Sequence, residues 1–197
     1  MFKGDFISGR FSPVPSQGRA AEWTLKSPAD FGDVIGDVAC SYASVERAVE
    51  AARSAFRSWR KAPVAERISA LKRYQEQLKL REDQLARIIS REVGKPLWES
   101  RTEVASMLAK VDISIQDGLK LVTDYAISAV MDGTDGVCRY RPHGVMAVIG
   151  PFNFPGHLPN GHLVPALLGG NTVVFKPSEK TPGTAQISSR AARPRSV

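Results

Sequence analysis

Residues 144–182 read GVMAVIGPFNFPGHLPNGHLVPALLGGNTVVFKPSEKTP, and this stretch constrains the fold more than any other. Two short apolar runs, 145–149 and 172–176, flank a polar turn and a helix-compatible segment. Such runs suit buried strands, and parallel neighbours need a crossover of about a dozen residues, usually a helix. The pattern therefore predicts a β-α-β unit. Asn153 follows the first run, and Lys176, Ser178 and Glu179 close the second. Open α/β sheets bind ligands outside the carboxyl ends of their strands, where both polar groups fall.

The chain before this unit divides by pattern. In the first 40 residues, DFISGRF predicts two short strands turning at Ser8 and Gly9. EWTLKSPADFGDVIGDVA predicts a second extended pair, broken at Pro28 and Gly32. Val45, Ala48, Val49, Ala52, Phe56 and Trp59 make one helical stripe, with Ser41 or Ser44 as its N-terminal cap. Pro63 opens a second helix striped by Ile68, Leu71, Tyr74 and Leu78. A third, with Leu85, Ile88, Ile89 and Val93, stops at Gly94 and Pro96. A fourth starts near Leu97 and is expected to run on through Leu119 and Val122. Glu92, Lys95 and Glu99 read as surface charges at a helix end. DGTDG, at 132–136, is a turn before the strand VCRYR.

Composition excludes several classes. Charged residues make up 24% and apolar residues 43%, ordinary for a soluble domain. No apolar run reaches the roughly 20 residues of a membrane span. The start, MFKGDFISGRF, has no long apolar segment of the secretory type, so a cytoplasmic location is expected. The net charge of +7 is spread along helices mixed with acids, so no nucleic-acid surface is expected. Cys40 and Cys138 have neither metal nor redox spacing and read as small buried thiols.

The chemistry of the 144–182 stretch has two readings at each position. A G-x-G-x-x-G cradle is missing, since the glycines of ALLGGN end a helix rather than open one. Lys176 precedes a proline and is held extended. Lys176 and Glu179 can share one ribose, and a carboxylate there would repel a 2′-phosphate, favouring NAD over NADP. Lys-Pro-Ser-Glu is equally an ordinary turn. The Asn153 amide, stiffened by Pro151 and Pro155, can donate to a developing oxyanion. An asparagine capping a turn reads the same way. His157 and His162 have no companion ligands, so no metal site is expected.

Together, GVMAVIGPFNFP, GNTVVFKPSEKTP and the earlier EVGKPLWES resemble the aldehyde dehydrogenase superfamily across roughly residues 1–182. The PGHLPNGH segment is similar to the branch that oxidises succinylglutamate semialdehyde in arginine catabolism. Other branches, such as that acting on pyrroline-5-carboxylate, share the rest. The resemblance implies an α/β fold: the N-terminal portion of an atypical Rossmann cofactor domain with antiparallel strands, a helical segment and part of an oligomerisation hairpin. The implied divisions are strands and helices at 1–123, a partial hairpin at 124–142, the start of the NAD-binding core at 143–182, and an aberrant, disordered tail at 183–197. The resemblance also makes Asn153 the catalytic oxyanion donor. Lys176 and Glu179, with Ser178 between them, become the adenosine-ribose contact. Ile149, Pro151 and Phe152 line the cofactor channel.

In that family a cysteine thiolate attacks the aldehyde, hydride passes to NAD, and glutamate-activated water releases the acid. The nucleophile and its base come later in family members, and neither Cys40 nor Cys138 matches. This chain is therefore expected to be inactive by itself, with residues after 183 read as the product of a frameshift. Homo-oligomers are expected of the full-length family member and not of the fragment. The alternatives are a non-catalytic nucleotide-binding or assembly module and, behind it, a basic nucleic-acid binder.

Overall fold

The computed structural model describes residues 2–16 and 18–192. Among these, four two-stranded sheets and six α-helices follow one another along the chain. β1 (Asp5–Ile7) and β2 (Arg10–Ser12) form an antiparallel hairpin. Ser8 and Gly9 both turn with positive φ, 52° and 77°, the primed geometry that matches strand twist. β3 (Arg19–Ser27) and β4 (Asp30–Ser41) form the longer hairpin. Its turn falls at Pro28 and Ala29; Gly32 lies inside β4 rather than breaking it.

α1 (Ala43–Trp59) begins after Tyr42, and no side chain caps it in the usual way. Ser41 Oγ accepts the Ala43 N–H at 3.2 Å, while the Ser44 hydroxyl donates to Asp5 at 2.5 Å and ties α1 to β1. α2 (Val64–Lys79) starts after Pro63, whose φ of −54° suits a helix entry. α3 (Glu82–Val93) ends at Gly94, left-handed at φ 77°, with its N–H on Ser90 O. α4 (Leu97–Gln116) stops at Asp117, and Gly118–Val122 tightens into a 3-10 turn, so the helix does not continue as expected. β5 (Tyr125–Met131) and β6 (Thr134–Cys138) form an antiparallel hairpin, with every residue of β5 exposed.

The β-α-β unit has the expected bounds: β7 (Val145–Ile149), α5 (His157–Leu168) and β8 (Thr172–Lys176). β7 and β8 are parallel, pairing Val145 with Thr172 and Ile149 with Lys176. Asn171 sets this register: its Oδ1 accepts the Gly144 N–H at 3.0 Å and its Nδ2 donates to Ala166 O at 3.2 Å. Thr172 Oγ1 donates to Ala52 O at 2.9 Å, fixing β8 to α1.

Two apolar clusters hold the helices. Leu78, Leu85, Ile89, Val104 and Met107, from α2, α3 and α4, pack with Ile187 and Ala191. Leu71 and Val111 pack with Val164 and Leu168 of α5. The α2–α4 layer is thus the platform for the helices that follow β7 and β8.

Two expectations are corrected here. Residues 182–191 form α6 (Pro182–Ala191), not a disordered tail. Its buried face is built from the small residues Gly183, Thr184 and Ala185 with Ile187 and Ala191, a surface that few large apolar residues announce. The end of that tail, 193–197, lies outside the described residues. The cysteines are not buried thiols: Cys40 is exposed and Cys138 half-buried, because both sit on two-stranded hairpins with an open face.

Candidate cofactor and oxyanion site

The loops after β7 and β8 meet at the carboxyl edge of the parallel pair. The Gly150 N–H donates to Lys176 O at 2.9 Å and extends the ladder past β7. A Cβ at Gly150 would lie 2.9 Å from Phe175 and 3.0 Å from Pro159, so the turn needs glycine there. Beyond it, the Lys180 ammonium stands 4.7 Å from the Phe152 ring centre and bridges the two loops.

Lys176 Nζ lies 3.6 Å from Glu179 Oε2, with both side chains more than 60% exposed. Such a pair contributes little to stability and leaves both groups available to a ligand. The Glu179 carboxyl is held below its ordinary value, first by its own backbone N–H and then by the Lys176 ammonium. It is therefore an anionic acceptor at neutral pH. Ser178 faces inward instead: its Oγ accepts the Lys180 N–H at 3.2 Å and reaches Glu179 at 3.4 Å. Its hydroxyl shapes the turn. Ile149 is 77% exposed and Phe152 51%, with Pro151 half-buried beside them. Asn153 is exposed; among the described residues its side-chain amide makes no hydrogen bond, while its carbonyl accepts from Lys95 Nζ at 3.3 Å.

The reading of Glu92 and Lys95 as surface charges is overturned. Glu92 is 3% exposed and accepts the Gly183 N–H at 2.5 Å, the Thr184 N–H at 2.9 Å and the Thr184 hydroxyl at 2.7 Å. Burial pushes its carboxyl up to about 7 against these bonds. Lys95 is paired with the fully buried Glu103. Glu103 Oε1 also accepts the N–H groups of Gly156 and His157, at 2.8 and 3.0 Å. Glu99 is half-buried. The signal in the sequence was positional. Glu92 follows Ile88 and Ile89, and Glu103 precedes Met107, at the spacing of each helix's apolar stripe.

These carboxylates decide what the edge can hold. The N-termini of α5 and α6 are the usual seats for a pyrophosphate, and each is already occupied by a buried glutamate. The exposed ammonium and carboxylate of Lys176 and Glu179 fit a ribose diol, so the residues present suit the adenosine end of a dinucleotide. His157 and His162 stand on α5, half-buried and exposed respectively. Among the described residues, no group of three or more His, Cys, Asp or Glu is placed to hold a metal ion. No described helix is long and apolar enough to cross a membrane.

Residues 15–194 match the family model described as the aldehyde dehydrogenase family. The N-succinylglutamate 5-semialdehyde dehydrogenase of Chromobacterium violaceum is 48% identical over 181 residues, 92% of this chain and 36% of the relative. That of Serratia proteamaculans is 49% identical over 181 residues, with the same coverage. Among solved structures, an aldehyde dehydrogenase from Brucella melitensis biovar abortus superposes with a TM-score of 0.86 at 30% identity, covering 95% of this chain and 38% of that one. A putative methylmalonate-semialdehyde dehydrogenase from Sinorhizobium meliloti, complexed with NAD, gives 0.85 at 28% identity, covering 95% and 37%. The chain spans about 36% of the length of the curated relatives it matches.

Proposed function

Since this chain belongs to the aldehyde dehydrogenase family, we propose that it is the portion of an NAD-dependent enzyme that binds the adenosine end of the cofactor and supplies the oxyanion donor. The reaction is the oxidation of succinylglutamate semialdehyde to succinylglutamate, in the cytoplasm. The observation that carries this reading is that the loops bearing Asn153 and the Lys176–Glu179 pair follow neighbouring strands of one parallel pair, joined by the Gly150–Lys176 bond and the Lys180–Phe152 contact. Relatives at 48–49% identity bear the name of the succinylglutamate branch, which supports the choice of aldehyde.

NAD supplies the hydride acceptor when bound. With the cofactor bound, Lys176 would donate to the adenosine ribose and Glu179 would accept from its hydroxyls. A 2′-phosphate placed beside the exposed Glu179 carboxylate would be repelled, which favours NAD over NADP. The free Asn153 amide donates to the aldehyde oxygen as negative charge grows on it. Neither Cys40 nor Cys138, on the β3–β4 and β5–β6 hairpins, is taken as the nucleophile, so the chain alone is expected to form no NADH. The exposed β5–β6 hairpin is the arm through which full-length copies associate.

A chimera tests the reading: residues 1–191 replace the matching segment of the Chromobacterium violaceum relative. NADH formation with succinylglutamate semialdehyde, faster than with pyrroline-5-carboxylate, is the expected result. A chimera that folds and prefers the second substrate contradicts the assignment. NADH production by the present chain alone contradicts the inactivity.

A further inference from the structure

We infer that the buried Lys95–Glu103 ion pair is a positioning device for the Asn153 turn, acting on catalysis through the backbone without touching substrate. The inference rests on the reading of Asn153 as oxyanion donor.

The geometry is a two-ended clamp. The Lys95 side chain is 9% exposed and that of Glu103 0%, and the two are directly paired. On the entry side of the turn, Lys95 Nζ donates to the Asn153 carbonyl at 3.3 Å and stands 4.4 Å from the Phe154 ring centre. On the exit side, Glu103 Oε1 accepts the Gly156 and His157 N–H groups at 2.8 and 3.0 Å. One ion pair therefore grips residues 153, 154, 156 and 157 at once. Both partners are themselves anchored. Lys95 follows the left-handed Gly94, and its carbonyl accepts the Ser90 hydroxyl at 2.7 Å. Glu103 lies on α4 one turn before Met107, in the helical core.

The cost of this arrangement argues for a use. Burying an ammonium and a carboxylate takes both from water, and such pairs often add no net stability over an apolar pair. Capping α5 needs only the carboxylate. The lysine adds contacts to the Asn153 carbonyl and the Phe154 ring, the neighbours of a side chain whose amide is left free. A donor fixed before reaction costs no reorganisation as charge develops, which is what an oxyanion site requires.

Hydrogen exchange on this chain supplies the first test. Lys95→Met combined with Glu103→Gln removes both charges without stranding one, and the amide oxygen that replaces the carboxylate can still accept from α5. Exchange at residues 152–158 is expected to rise about tenfold or more, while the core amides of Leu85 and Ile89 keep their rates. Lys95→Arg, which keeps the pair, is expected to restore most of the protection. An unchanged turn, or equal acceleration of turn and core, would overturn the proposal. In the chimera, the double variant is expected to lower kcat with KM for NAD unchanged, and Asn153→Ala on top is expected to cost little more. Additive losses would overturn action through Asn153. Should Asn153→Ala alone leave kcat intact, the oxyanion reading fails and the catalytic sense of the clamp with it. The exchange result would still show whether the clamp holds the turn.

Discussion

Glu92 and Thr184 are 92 positions apart in the chain, yet the Glu92 Oε2 accepts both the N–H and the hydroxyl of Thr184, at 2.9 and 2.7 Å. With the Gly183 N–H on Oε1, a carboxylate from α3 replaces the missing cap of α6. The helix after β8 is thereby fastened to the α2–α4 layer.

This relationship makes stability depend on pH. Burial raises the Glu92 carboxyl from 4.5 to about 7, so the folded chain holds a proton there that the unfolded chain has released. The folded state binds more protons across that window, and stability therefore falls as pH rises from about 4.5 to about 7. Its contribution is fully present below the unfolded value. Thermal melts of the chain and of Glu92→Gln at pH 5 and pH 8 check this. The glutamine variant is expected to lose less stability between the two.

α6 itself is tested by its one large core side chain. Ile187 is 5% exposed and packs with Leu85, Ile89 and Met107. Ile187→Ala is expected to destabilise by about 2–4 kcal/mol, read from denaturant unfolding. A change within about 0.5 kcal/mol, as for a surface site, would mean that residues 182–191 do not pack on the core.

Lys176 and Glu179 separate function from stability. Both are more than 60% exposed, so Lys176→Ala is expected to leave the melt within about 0.5 kcal/mol of the parent. In the chimera the same change is expected to raise KM for NAD, and Glu179→Gln is expected to narrow the preference for NAD over NADP. An unchanged preference after Glu179→Gln would remove that carboxylate from cofactor selection.

The β-α-β unit was legible because both strands are short apolar runs of five residues, and turn residues bound them on each side. Gly94 with Pro96, and Ser8 with Gly9, were equally plain, since few residue types suit left-handed backbone. The Asn153 and Lys176–Glu179 groups could be listed from the sequence, but on residue type each had a turn reading beside the functional one. The structure adds that the loops carrying them follow neighbouring strands and are joined by the Gly150–Lys176 bond and the Lys180–Phe152 contact. Glu92, Lys95 and Glu103 were missed because charge suggests solvent, although both glutamates fall on apolar stripes. α6 was missed because glycine, threonine and alanine make its contact face. The 3-10 ending of α4 was missed because Leu119 and Val122 keep helical spacing after the backbone has left the α-helix.

Asn153 is proposed as the oxyanion donor for aldehyde oxidation. The most direct measurement of that role is steady-state turnover of succinylglutamate semialdehyde by the chimera with and without Asn153→Ala. The expected result is that kcat falls roughly 10²–10³-fold, as when one oxyanion donor is removed, with KM for NAD unchanged. A correctly folded Asn153→Ala chimera whose kcat stays within about twofold of its parent would contradict it.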